Sequence, residues 1–172
     1  MIYILIVIAI VITETMIKNY MEDNLKLGER KEILKGKIIL RKHYNRGMML
    51  DFMEGKMEII KKISGLLLAI LLIIFAILLP KKGKRILKLG LSFVLGGAIS
   101  NVGDRYNKGY VVDYFSFNTK FKKLGRIVFN LSDMFIFMGC ALIAISGYLP
   151  VKGEKLVEEA AKKSAERINN HM

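Results

Sequence analysis

Residues 63–79 carry no charged side chain, and the run closes abruptly at Pro80-Lys81-Lys82-Gly83-Lys84-Arg85. A hydrocarbon core about 30 Å thick is crossed by roughly 20 helical residues. Backbone inside lipid must satisfy its own hydrogen bonds, so a run of this kind is a membrane helix. The proline ends it and the cations anchor it in lipid headgroups. Three further stretches approach the same length, each with something polar inside. Residues 1–20 hold Glu14 and Lys18, residues 86–104 hold Lys88 and end in Asn101 and Asp104, and residues 127–149 hold Asn130 and Asp133. The expectation is an all-α integral membrane protein with four transmembrane helices, at about 1–20, 63–79, 86–104 and 127–149.

Composition fits this plan. The chain is 53% hydrophobic yet 25% charged, and the two kinds of residue fall in separate blocks. A net charge of +13 points to an anionic partner; the apolar runs make that partner membrane phospholipid rather than nucleic acid. The single cysteine, Cys140, lies in an apolar stretch and has no partner for a disulfide. The first twelve residues are uncharged, with neither a basic n-region nor a small-x-small cleavage site, which reads as a retained first span.

The connection at about 21–62 is too long for a turn. Its apolar Ile38-Ile39-Leu40, followed by Tyr44-Asn45-Arg46-Gly47-Met48-Met49-Leu50, suggests a small strand-rich flap on the membrane surface. Residues 151–172 mix charges at helical spacing, as in Glu158/Lys162, and read as a charged cytoplasmic tail following a four-span domain at 1–150. Cations without acids at 81–85 argue that this loop and both termini are cytoplasmic, which puts the 21–62 loop outside; that loop also carries many Lys and Arg, diluted by acids.

A carboxylate near the middle of a bilayer costs about 2.5–3.5 kcal/mol on insertion scales, so such groups tend to be paired, wet or functional. Glu14 and Lys18 are four residues apart and can pair on one helix face, while Lys88 can reach back to the basic loop. Gly96 and Ser100 form a small-xxx-small face suited to close helix contact. Asn101 and Asp104 share a face of the third span, as Asn130 and Asp133 do of the fourth, and Asp113 lies in the short connection between them. Asp113 and Asp133 can therefore meet at one membrane surface. Two close carboxylates share a proton, one acting as base on a water and the other as acid toward an amide carbonyl. The plain alternatives are a local Asp104-Arg105 pair and a solvated loop acid at Asp113. Asn130-Leu131-Ser132 matches a glycosylation sequon, but inside an apolar helix it is a chance match. His43 and His171 are the only histidines and make no metal cluster, and neither a P-loop nor a Gly-x-Ser-x-Gly elbow is present.

The runs Gly96-Gly97-Ala98-Ile99-Ser100-Asn101-Val102-Gly103-Asp104-Arg105, Asp113-Tyr114 and Phe129-Asn130-Leu131-Ser132-Asp133 resemble the signature motifs of lipoprotein signal peptidases (signal peptidase II): Gly-Gly-Ala-x-x-Asn-x-x-Asp-Arg, Gly-x-Val-x-Asp-Phe and Phe-Asn-x-x-Asp. Tyr114 stands for the usual phenylalanine. In the N-terminal half, Glu14-Thr15-Met16-Ile17-Lys18 stands where the family has Asp-Gln-x-x-Lys, and of the loop motif Asn45 and Gly47 carry over. The resemblance implies an aspartic endopeptidase without metal or cofactor. Asp113 and Asp133 would be catalytic, with Asn45, Gly47, Asn101, Asp104, Arg105 and Asn130 shaping the site or holding substrate. It also implies diacylglyceryl prolipoprotein substrates, cut before the lipid-modified cysteine, and a site on the outer side of a bacterial cytoplasmic membrane. A non-catalytic relative that binds lipoproteins or signal peptides is the alternative, and a small channel or transporter a third reading.

Overall fold

The computed structural model describes residues 1–47 and 56–148. Met48, Met49, Leu50 and the charged tail at 151–172 lie outside them. In chain order the elements are α1 (Ile2–Asn24), β1 (Lys31–Ile33), β2 (Ile38–Asn45), α2 (Met57–Leu78), α3 (Arg85–Asn107), β3 (Val111–Phe117), α4 (Lys122–Arg126) and α5 (Leu131–Tyr148). Among the described residues, the four helices long and apolar enough to cross a membrane are α1, α2, α3 and α5.

Helix α3 is the hub, packed against α1, α2 and α5, and is much the most buried of the four. The others turn large side chains outward, among them Leu5, Ile8 and Ile12 of α1 and Leu66, Leu67 and Ile73 of α2. A soluble protein rarely leaves so wide an apolar surface bare, whereas a lipid solvent covers it without cost.

Small residues let α3 act as hub. The Gly96/Ser100 face meets α1: a Cβ on Gly96 would sit 2.8 Å from Ile10, and Ser100 accepts a hydrogen bond from Lys18. A second face, formed by Gly90 and Gly97, meets α5, and the sequence reading did not single it out. A Cβ on Gly97 would lie 2.5 Å from the Ser132 carbonyl oxygen, and one on Gly139 of α5 would lie 2.6 Å from the Gly90 carbonyl. Both obstacles are backbone, so the helices must move apart to admit even a methyl group. Gly97→Ala is expected to cost about 1–3 kcal/mol through overpacking and to lower the thermal midpoint in detergent by several degrees. Gly103→Ala, within α3 and with nothing within 4 Å of the added carbon, is the matched control and should leave the midpoint unchanged or slightly raised, since alanine favours a helix over glycine. Equal behaviour of the two variants would contradict the close α3–α5 contact.

Lys88 is buried in α3 and donates to the carbonyls of Leu79, at 2.9 Å, and Lys81. It thus reaches the basic loop, and there it satisfies carbonyls that the end of α2 leaves unpaired.

The flap differs from its expected form. It is an antiparallel sheet of order β1-β2-β3, whose first two strands come from the first loop and whose third comes from the connection between α3 and α5. Strand β3 is also bridged at Phe115 to Phe129 through backbone hydrogen bonds. Residues 127–130 are therefore extended, and the last span begins at Leu131. Both loops are thereby stitched together at one end of the helices, and α2 extends toward that end from Met57.

Candidate active site

Strand periodicity places the first carboxylate. In the β2–β3 register His43 faces Asp113 and Asn45 faces Val111, so these four residues share one side of the sheet. That side lines a cavity of about 560 Å³. Asn45 Nδ2 donates to Asp113 Oδ2 at 2.9 Å, while its Oδ1 accepts the Gly47 backbone N–H at 3.0 Å. Gly47 therefore contributes through its backbone, by orienting the Asn45 amide.

A helix terminus places the second carboxylate. Asn130 Oδ1 accepts the Asp133 N–H at 3.0 Å and Asp133 Oδ2 accepts the Asn130 N–H at 3.0 Å. This reciprocal cap satisfies two donors that the start of α5 would leave orphaned, and a carboxylate in the first turn is favoured by the helix dipole. The Asn130 side-chain NH2 then reaches both Asp113 Oδ1, at 2.7 Å, and Asn101 Oδ1, at 3.1 Å. Asn101 Nδ2 in turn donates to Asp133 Oδ1 at 2.9 Å. Two carboxylates from different elements are thus clamped by one pair of asparagines.

The rest of the α3 face supports this clamp from behind. Lys18 of α1 is almost wholly buried and donates to Ser100 Oγ at 3.0 Å and Asn101 Oδ1 at 2.9 Å. It forms its short ion pair with Asp104, 2.9 Å away, and stands 3.9 Å from Glu14. The expected Glu14/Lys18 pair is therefore the longer of the two contacts, and Lys18 belongs to the site's support. Its signal in the sequence was the cation itself, placed inside a span opposite an aspartate. Asp104 stands behind the cavity wall, where it also accepts the Val112 N–H at 3.3 Å. Arg105 lines the cavity and donates to the Asn101 carbonyl at 3.3 Å.

The cavity wall divides by chemistry. Asn45, Asn101, Arg105, Asp113 and Asp133 line its polar part together with Arg41, His43 and Arg126, while Val111, Ile127, Val128, Phe129, Ile136 and Phe137 line its apolar part. Burial, with the charge of Asp133 as the next cause, pushes the Asp113 carboxyl up to about 7, against the smaller opposite pull of the Asn45 and Asn130 amides. Because both Asp113 oxygens already accept an amide N–H, a proton on this carboxyl has the cavity left to point into. A group poised near neutral pH inside a cleft suits acid–base chemistry.

Residues 6–149 match the family profile of signal peptidase (SPase) II. The chain belongs to the signal peptidase II family. Among curated relatives it is 30% identical to the lipoprotein signal peptidase of Lactobacillus johnsonii, over 89% of this chain and 94% of that one. It is 31% identical to that of Clostridium tetani, over 83% and 89% of the two chains. Among solved structures, a bacterial membrane enzyme determined by the in meso method at 2.3 Å superposes with a TM-score of 0.72 at 26% identity, covering 84% of this chain and 85% of that chain. A second such structure, at 1.9 Å, gives a TM-score of 0.70 at 25% identity, with 84% and 90% covered. This signal peptidase II family member is thus a peptidase and a multi-pass bacterial membrane protein.

Proposed function

We propose that this chain removes the signal peptide from prolipoproteins by cleaving the amide bond before a diacylglyceryl-modified cysteine, with Asp113 and Asp133 sharing one proton. The observation that carries this reading is the asparagine clamp, which holds both carboxylates at one cavity wall through Asn130 and Asn101. Asp113 carries the proton near neutral pH and presents it to the scissile carbonyl oxygen. Asp133 takes a proton from the attacking water, whose oxygen bonds to the carbonyl carbon and gives a tetrahedral diol. Asp133 then hands its proton to the departing amine nitrogen while Asp113 recovers one from a diol hydroxyl, and the peptide bond breaks. Asn45, Asn101, Asn130 and the Gly47 backbone fix the pair, and Asp104 acts through Lys18.

The apolar side of the cavity, with Phe129, Ile136 and Phe137, suits a lipid-modified substrate, and Arg41, Arg105 and Arg126 suit its polar backbone. The sheet and the cavity stand at the opposite end of the spans from the basic 81–85 loop. By the positive-inside rule the site faces the extracytoplasmic side.

Purified protein in lipid should convert a diacylglyceryl prolipoprotein into a product beginning at the lipidated cysteine, and a chelator should leave the rate unchanged. Tight binding without product would point instead to a non-catalytic relative. The pH profile has a definite sign: a carboxyl raised to about 7 is neutral below that pH, so kcat/KM should fall as pH rises through about 7 and the shared proton is lost. A rate that stays level from about pH 6 to pH 9 would contradict the shared proton.

A further inference from the structure

Tyr114 follows Asp113 directly in β3, and strand alternation turns it to the opposite side, away from the cavity. Its hydroxyl accepts the backbone N–H of Leu131 at 3.0 Å and stands 3.0 Å from Glu14 Oε2 of α1. An amide N–H can only donate, so the Tyr114 O–H must spend its single hydrogen on Glu14. Both side chains are buried, Glu14 completely.

Leu131 is the first residue of α5, where N–H groups lack partners within the helix. Asp133 lies two residues further on. The phenol thus ties the strand that carries one carboxylate to the helix start that carries the other, and the Glu14 carboxylate holds the phenol on a third element. Rotation of β3 about its axis, or slippage of α5 along its own, would break one of these bonds and alter the separation of Asp113 and Asp133. The Phe129–Phe115 bridge fixes the backbone between them; the Tyr114 bonds fix their orientation. These are also two of the positions at which this chain departs from the family pattern in sequence.

We infer that Tyr114 and Glu14 are a coupled pair of positioning residues, which set the mutual orientation of the Asp113 and Asp133 carboxylates through the Leu131 amide. This rests on the proposed dyad chemistry, and neither side chain of the pair is among those lining the cavity.

The test is kinetic, in the prolipoprotein cleavage assay, with hydrogen exchange as a readout independent of turnover. Tyr114→Phe should lower kcat about tenfold, leave KM within about twofold, and stay folded at the assay temperature. Glu14→Leu should do the same, and the Tyr114→Phe/Glu14→Leu double variant should be no slower than either single one, because both remove one coupling. Glu14→Gln keeps an acceptor oxygen for the phenol and should recover kcat to within about twofold of the parent. In Tyr114→Phe the Leu131 amide should exchange faster whether or not the chain turns over substrate. An unchanged kcat in Tyr114→Phe, losses that multiply in the double variant, or a Glu14→Gln as slow as Glu14→Leu would each overturn the inference while leaving the peptidase reading intact. A parent chain without cleavage would instead sink the dyad reading, and an unprotected Leu131 amide in that parent would sink the positioning pair with it.

Discussion

Asp113→Asn should abolish prolipoprotein cleavage, with a fall of about a thousandfold or more in single-turnover rate. Asparagine offers no transferable proton, and it also disturbs the clamp. Both oxygens of Asp113 accept amide hydrogens, from Asn45 and Asn130. The new NH2 group must face one of those donors. Neither partner can turn its own oxygen toward it freely, because Asn45 Oδ1 is engaged by the Gly47 N–H and Asn130 Oδ1 by the Asp133 N–H. The helical frame does not depend on this residue, so the variant should remain folded in detergent, which a thermal scan will show. A folded variant retaining a tenth of the parent rate would remove Asp113 from the chemistry.

The second large effect is expected behind the site. Lys18→Met should lower the thermal midpoint by ten degrees or more and bring cleavage below detection. The ammonium is 1% exposed and serves Ser100, Asn101 and Asp104 together. Removing one member of a buried ion pair costs about 3–5 kcal/mol, since the other charge is left uncompensated. Asp104, and behind it the fully buried Glu14 at 3.9 Å, would be left so, and Asn101, which holds Asp133, would lose a donor to its Oδ1. Lys18→Arg should restore little, because a planar guanidinium cannot direct its hydrogens to three acceptors around a compact point. Lys18→Met combined with Asp104→Asn removes the short ion pair as a whole, leaving Glu14 as the remaining buried carboxylate, and should regain part of the stability without the activity. If Lys18→Met alone unfolded at the parent's temperature and cleaved at the parent's rate, the buried network would have no part in holding Asn101.

How much of this was open to sequence reasoning depended on the distance over which each feature is determined. The 63–79 run announces a span because lipid imposes length and apolarity locally, and the Asn-x-x-Asp spacing announces a shared helix face for the same reason. Asn130 and Asp133 can be grouped from a four-residue stretch of chain, and their reciprocal cap is a local event. The sheet is another matter. Strand β2 pairs with β3 through contacts such as His43 with Asp113, and alternation within one loop carries no mark of a partner beyond α3. The flap therefore reads as a first-loop feature until the third strand is seen. Lys18 is similar: spacing alone favours the local Glu14 partner, whereas its short contacts lie on α3, more than eighty residues away in the chain. The Gly90/Gly97 face is hidden by the seven-residue interval between its glycines, while Gly96 and Ser100 advertise a face that turns out to serve α1.

The most direct measurement is mass analysis of the products formed from a diacylglyceryl prolipoprotein by the purified chain, by Asp113→Asn and by Asp133→Asn, each first shown to be folded. Cleavage before the lipid-modified cysteine by the parent, and by neither variant, is the expected result. Cleavage at that bond surviving in either folded variant would contradict the shared-carboxylate mechanism.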